Sequence, residues 1–156
     1  MNKTAFTDSE YYECIKDLIN HEKVLSMRNF PHHRKISCLE HSLSVSYLSY
    51  RICKKIHANS RSVARAGLLH DFFLYDWHAT PAEFAPHAFV HPKTAAKNAD
   101  KYFTITKKER EAILHHMWPI TIVPPYRLIS LSVMLSDKYC ALLEVLKIKP
   151  KAPCKS

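Results

Sequence analysis

The sequence predicts an all-α fold, a single compact bundle of about six helices. Three observations predict it. The chain of 156 residues holds one glycine, Gly67, where average usage of about 7% would supply about eleven. So little glycine allows few turns that need a positive φ, which argues against hairpin-rich β architectures and glycine-cradled phosphate loops. The nine prolines, at 31, 81, 86, 92, 119, 124, 125, 150 and 153, leave long stretches free of breakers. Within those stretches apolar residues recur at helical spacing. With 47% hydrophobic and 24% charged residues the composition is that of a globular domain, and a chain of this length closes a core without disulfides.

Each element has its own signal. Thr7, with Glu10 three residues on, reads as a capping box that opens a first helix running to about Met27. Residues 28–37, RNFPHHRKIS, are a basic connector. A second helix spans about Cys38 to His57, with Leu39, Leu43, Leu48, Ile52 and Ile56 on its apolar stripe. Asn59 or Ser60 caps a third helix through Ala66, Leu69 and Phe73. Residues 75–90 read as a long loop rich in aromatics and proline. Pro92 suits the first turn of a fourth helix that ends near Phe103. Thr106 with Glu109 is a second capping box, opening a fifth helix through His116. WPITIVPP is a turn, and a last helix runs from about Tyr126 to Ile148. No internal repeat is visible. Residues 1–148 therefore make one domain, and KPKAPCKS, 149–156, a basic disordered tail.

The formal charge is +9, and all of it lies beyond the first helix: residues 1–26 hold three Lys and five acids. Such a surface favours anionic partners such as a nucleotide, a nucleic acid or another phosphorylated molecule. The five cysteines, Cys14, Cys38, Cys53, Cys140 and Cys154, include no C-x-x-C pair, so a disulfide framework and a zinc ribbon are both excluded. Reduced, mostly buried thiols in a cytoplasm are expected. No apolar leader opens the chain, and the most apolar run, Leu128 to Ser136, is too short to span a bilayer.

The chemistry sits in a few histidines and acids. Asp137 lies in LISLSVMLSDKYCALLEVL, which is apolar on nearly every helical position and so reads as a buried helix. An interior carboxylate there needs a cation or a metal beside it. His70 and Asp71 are adjacent at the end of an apolar helical stretch. Helix neighbours point about 100° apart, so both reach one ion only at the rim of a cavity. His41 lies on a largely apolar helix. His91 stands at the expected start of the fourth helix, whose positive end favours a neutral, ligating imidazole. His115 and His116 end the fifth.

Taken together, the order His41, His70-Asp71, His91, His115-His116, Asp137 resembles the HD superfamily of metal-dependent phosphohydrolases. The core pattern of that family, H…HD…D, is carried by His41, His70, Asp71 and Asp137, within EHSLSVSYLS, ARAGLLHD and LSDKYCALLE. The two further histidines resemble the binuclear branch, and AILHHM matches its A-I-x-x-H, which selects His116. The resemblance implies a helical HD domain with two divalent metals per chain. His41, His70, Asp71 and Asp137 would hold one; His91, His116 and a bridging Asp71 would hold the other. His115 stands in reserve as a ligand or a group behind one. Imidazole and carboxylate without thiolate suit iron, manganese or zinc. The implied activity is hydrolysis of a small phosphorylated molecule, a nucleotide or dinucleoside polyphosphate, by a metal-activated hydroxide, with His70 and Asp71 at the catalytic centre.

The sequence also departs from its relatives. Where many binuclear members carry Lys three residues after the motif Asp, this chain has Leu74, so Arg34, Arg65 and Lys138 become the candidates to meet a phosphate. MWPI follows His116 in place of G-Y-P, which argues against the cyclic-dinucleotide branch; size and motif order resemble the small diadenosine tetraphosphate hydrolases. Trp77 or Trp118 could stack a purine, and the loop with Tyr75, Trp77, His78, Phe84 and His87 could form a lid. Two other readings fit the same residues: a mixed-valence diiron oxygenase, and a nonenzymatic nucleotide or RNA binder. Nucleic acid is the less favoured partner and a membrane is not expected. His21, His32, His33, His57, His78 and His87 are read as needing no special chemistry.

Overall fold

A computed structural model describes residues 7–32, 36–76, 87–148 and 150 of the chain. Among them are seven α-helices and no strand: α1 Ser9–Ile19, α2 Glu22–Ser26, α3 Cys38–Lys55, α4 Ser60–Leu69, α5 His87–Tyr102, α6 Lys107–His115 and α7 Leu128–Val145. A 3-10 turn, Met27–Asn29, follows α2. The fold is all-α, as expected. Apart from Pro150, the expected tail lies outside the described residues.

The seventh helix comes from a break in the first. Asn20 donates its side-chain amide to Lys16 O at 2.9 Å and stops α1. His21 Nδ1 then accepts from Lys23 N and caps α2 afresh. The first cap is also one residue later than expected: Asp8, not Thr7, accepts from Tyr11 N. That shift leaves the Glu10 carboxylate to pair with Lys54 of α3. The Thr106–Glu109 capping box forms as expected. An unforeseen one, Ser37 with Glu40, opens α3.

α5 begins at His87, five residues before Pro92, so the expected start of this helix is corrected. Proline removes one ladder bond inside a helix, the one Ala88 O would accept. Ala88 itself lies on the wall of a cavity described below.

α3 packs along both α4 and α7, and α4 also meets α1 and α6. The crossing of α3 and α4 is close because of Gly67. A Cβ at this position would sit 2.7 Å from Ser46 Cα. Around the crossing, Ser46 Oγ donates to Ala64 O at 2.6 Å and accepts from the buried Tyr11 hydroxyl at 2.8 Å. The main core gathers Tyr11, Ile15, Leu18, Leu68, Leu69, Phe72 and Ile113, all fully buried. Each such leucine contributes about 1.5–3 kcal/mol by leaving water.

Gly67 serves that approach and no left-handed turn. Among the described residues the positive-φ positions are His57, Leu74 and Lys147. His57 and Lys147 each close a helix by the paired bonds of a Schellman motif: Ala58 N to Cys53 O with His57 N to Lys54 O, and Ile148 N to Leu143 O with Lys147 N to Glu144 O. α7 is not buried all round. Ile129, Val133, Met134 and Cys140 face the core, while Leu128, Leu135, Tyr139, Leu142 and Val145 are exposed.

Candidate metal centre

Five elements bring six of the predicted side chains to one place. His41 comes from α3, His70 and Asp71 from the end of α4, His91 from α5, His116 from the end of α6 and Asp137 from α7. All six are buried. Asp137 Oδ1 lies 3.0 Å from His41 Nε2 and 3.6 Å from His70 Nε2. Asp71 divides its two oxygens. Oδ2 is 3.4 Å from His70 Nε2, while Oδ1 is 3.3 Å from His91 Nε2 and 3.6 Å from His116 Nε2.

Local backbone aims the rings. His70 Nδ1 donates to Gly67 O at 2.8 Å, His116 Nδ1 to Ile113 O at 2.7 Å, and His91 Nδ1 to His87 O at 3.0 Å. A carbonyl only accepts, so each Nδ1 carries a proton and it is Nε2 of each ring that can offer a lone pair to a cation. For His70 and His116 the acceptor is a carbonyl of the last turn, which has no partner within its helix. The negative ends of α4 and α6 thus both point at the cluster, a field that favours cations.

The donor set fits a cation on observations of these atoms. His91 Nε2 and His116 Nε2 face each other at 2.9 Å. With both Nδ1 atoms committed, a proton or a cation has to lie between two lone pairs. His70 Nε2 and Asp71 Oδ1 are buried without a hydrogen-bond partner. Three triads hold their ligand atoms within 4.8 Å of one another: His41, His70 and Asp137; His70, Asp71 and His116; and His32, His41 and Asp71. Thiols stay outside the set. Cys38 Sγ donates to Asp71 O, and burial, with Glu144 and Asp137, pushes the Cys140 thiol up to about 12. An N/O set of this kind suits iron, manganese or zinc.

The electrostatics follow the same division. Burial opposes the charged form of every group here. At Asp71 and Asp137 the surrounding imidazoles override it and hold both carboxyls well below the usual range. At His70 burial is outweighed by Asp71 and Asp137, and the ring rises to about 9. At His116 burial is reinforced by His70 and His91, and the ring falls to about 3.

Two participants were not foreseen. His32, from the connector, places Nε2 3.1 Å from Asp71 Oδ2 and stacks on His41 with ring centres 3.7 Å apart. Glu144, buried on α7 two turns beyond Asp137, accepts from His41 Nδ1 at 2.8 Å. His41 therefore has a carboxylate behind it, which fixes its tautomer and turns Nε2 to the cluster. Glu144 had a readable signal, an acid at i+7 on the face of Asp137; His32 had none, since its connector has no periodicity. His87 also belongs to the site's edge: it stacks on His91 at 4.5 Å, and its Nδ1 shares a hydrogen bond with the Tyr75 hydroxyl at 3.0 Å.

The other candidates divide. Lys138 lines a cavity of about 340 Å³ together with Asp71, His91, His116, Asp137 and His32. Arg65 does not reach it: the guanidinium is buried against Asp17 at 2.6 Å, Glu109 at 3.3 Å and Thr104 O at 3.1 Å. His115 is half-buried near Tyr126, outside the cluster, with its imidazole lowered by burial. Trp118 is partly exposed and does not line the cavity. Arg34, Trp77, His78 and Phe84 lie outside the described residues.

The family model for the HD domain matches residues 38–142, more than half of the chain and every element from α3 through most of α7. No curated protein and no solved structure gives a significant match.

Proposed function

The chain belongs to the HD domain family, a superfamily of metal-dependent hydrolase type, and from that premise we propose that it is a phosphohydrolase with a two-metal centre acting on a small phosphorylated molecule, a nucleotide or dinucleoside polyphosphate. The observation that carries this reading is the Asp71 carboxylate, with one oxygen toward His70 and the other toward His91 and His116. That is the arrangement of a bridging ligand between two cation sites. His41, His70 and Asp137 would hold the first metal with Asp71; His91 and His116 would hold the second. Bound there, two metals supply an activated water and Lewis-acid charge for a phosphoryl group.

The chain's own residues would do the rest. The carbonyls of Gly67, His87 and Ile113 keep three imidazoles in one tautomer. Lys138, exposed on the cavity wall, would meet phosphoryl oxygens and take the part that Leu74 cannot. The cavity of about 340 Å³ is at the small end of ligand sites and suits a phosphate and its nearest atoms.

Elemental analysis of the purified protein should find about two metals per chain. The Mn-, Fe- or Zn-loaded protein should then hydrolyse a phosphomonoester or a dinucleoside polyphosphate, and Asp71→Ala should lose both metal and activity. Metal-loaded protein that cleaves no phosphate ester while Asp71→Ala binds the same metal would overturn the reading. Oxygen uptake by the iron form alone would replace it with the oxygenase.

A further inference from the structure

The connector ahead of α3 lies outside the span matched to the family, yet it delivers a histidine to the cluster. Its described ends are tied together by backbone contacts. His32 N donates to Ile36 O at 2.9 Å, and Pro31 and Ser37 pair across the loop. The His32 ring then lies on His41, nearly parallel at 13°. Stacking in this sense brings like edges together. Both Nδ1 atoms turn to Glu144, His41 to Oε1 at 2.8 Å and His32 to Oε2 at 3.6 Å. Both Nε2 atoms turn to the carboxylates of the cluster, His41 to Asp137 and His32 to Asp71 Oδ2. One buried carboxylate thus hydrogen-bonds His41 and faces His32 across 3.6 Å, and the pair presents two nitrogens side by side.

We propose that His32 is an additional ligand on the Asp71 Oδ2 side of the centre, and that Glu144 positions His32 and His41 together as a two-nitrogen clamp. The inference rests on the two-metal reading above. The ring sits at the cavity wall and keeps 12% of its surface accessible.

Cobalt(II) alone is the probe. The full chain is stripped, titrated with Co²⁺ and followed by its visible d–d absorption and by the hyperfine-shifted imidazole N–H resonances. His32→Ala should weaken the site on the Asp71 Oδ2 side about 10- to 100-fold, shift the visible band and remove one shifted N–H resonance. His32→Gln, which keeps more of the volume, should do the same. Glu144→Gln should move the resonances of both rings. If wild-type protein binds Co²⁺ and both His32 variants reproduce its affinity and spectrum, His32 is no ligand and only this inference falls. If wild-type protein binds no Co²⁺, the metal-centre reading itself falls.

Discussion

The two oxygens of Asp71 face unequal neighbourhoods. On the Oδ2 side stand His32, His41 and His70 with two more carboxylates, Asp137 and Glu144. These come from the connector, α3, α4 and α7, elements packed on one another through the Gly67 crossing and the buried face of α7. On the Oδ1 side, among the described residues, stand His91 and His116, from α5 and α6, each oriented by one backbone carbonyl. Charge attracts a cation more strongly than a lone pair does, especially out of water. If both sides hold a metal, as proposed, the difference predicts unequal affinity: the Oδ2 side should fill first and the Oδ1 side should exchange more readily.

The largest effect tests what the two sides share. Asp71→Ala should take the metal content from about two per chain to near none, read by elemental analysis after gel filtration. The next pair separates them. Asp137→Asn should weaken the tighter site by about 100-fold or more, whereas His116→Ala should leave one tightly held metal. Isothermal titration reads both, and the opposite pattern would invert the comparison.

A smaller effect comes from protons. In metal-free protein His32 and His70 are held near 9, because nearby carboxylates outweigh burial. A folded value above the usual 6.5 gives stability that is complete below about pH 6.5 and is lost as the pH rises through 9. Metal-free protein should therefore lose thermal stability from pH 6.5 to 9. A bound cation replaces those protons, so the gain in Tm on metal addition should grow over the same range. A gain that shrinks with pH would break the argument. The smallest effect lies outside the centre. His57→Gly places a residue without Cβ at a φ of 54° and should stabilise the fold by about 0.5–1 kcal/mol in urea titration, with metal binding unchanged.

Much of the fold was legible because its signals are local. Asn59 and the Thr106–Glu109 box cap helices where the sequence places them, and α3 ends within two residues of its expected limit. The break at Asn20 was missed because a side-chain cap inside a helical pattern competes with periodicity. The start of α5 was missed because Pro92 reads as a first-turn residue, and only tertiary context tells which carbonyl can do without its bond. α7 was read as buried throughout from its composition, and half of it faces outward. At the site, the residues legible in sequence are those with a fixed order and helical setting. His32 and Glu144 join through packing between distant elements, which no local pattern encodes.

Gly67 touches no proposed ligand other than through its carbonyl, yet it works as a spacer gauge for the centre. The helices that carry His41 and His70 meet where it has no side chain, with backbone against backbone. A single added methyl would have to be absorbed by moving one helix, and the imidazole on that helix would travel with it. The working tolerance between two nitrogens is thus machined into the main chain. A chain that could place glycine almost nowhere keeps its one copy as the shim that sets this distance.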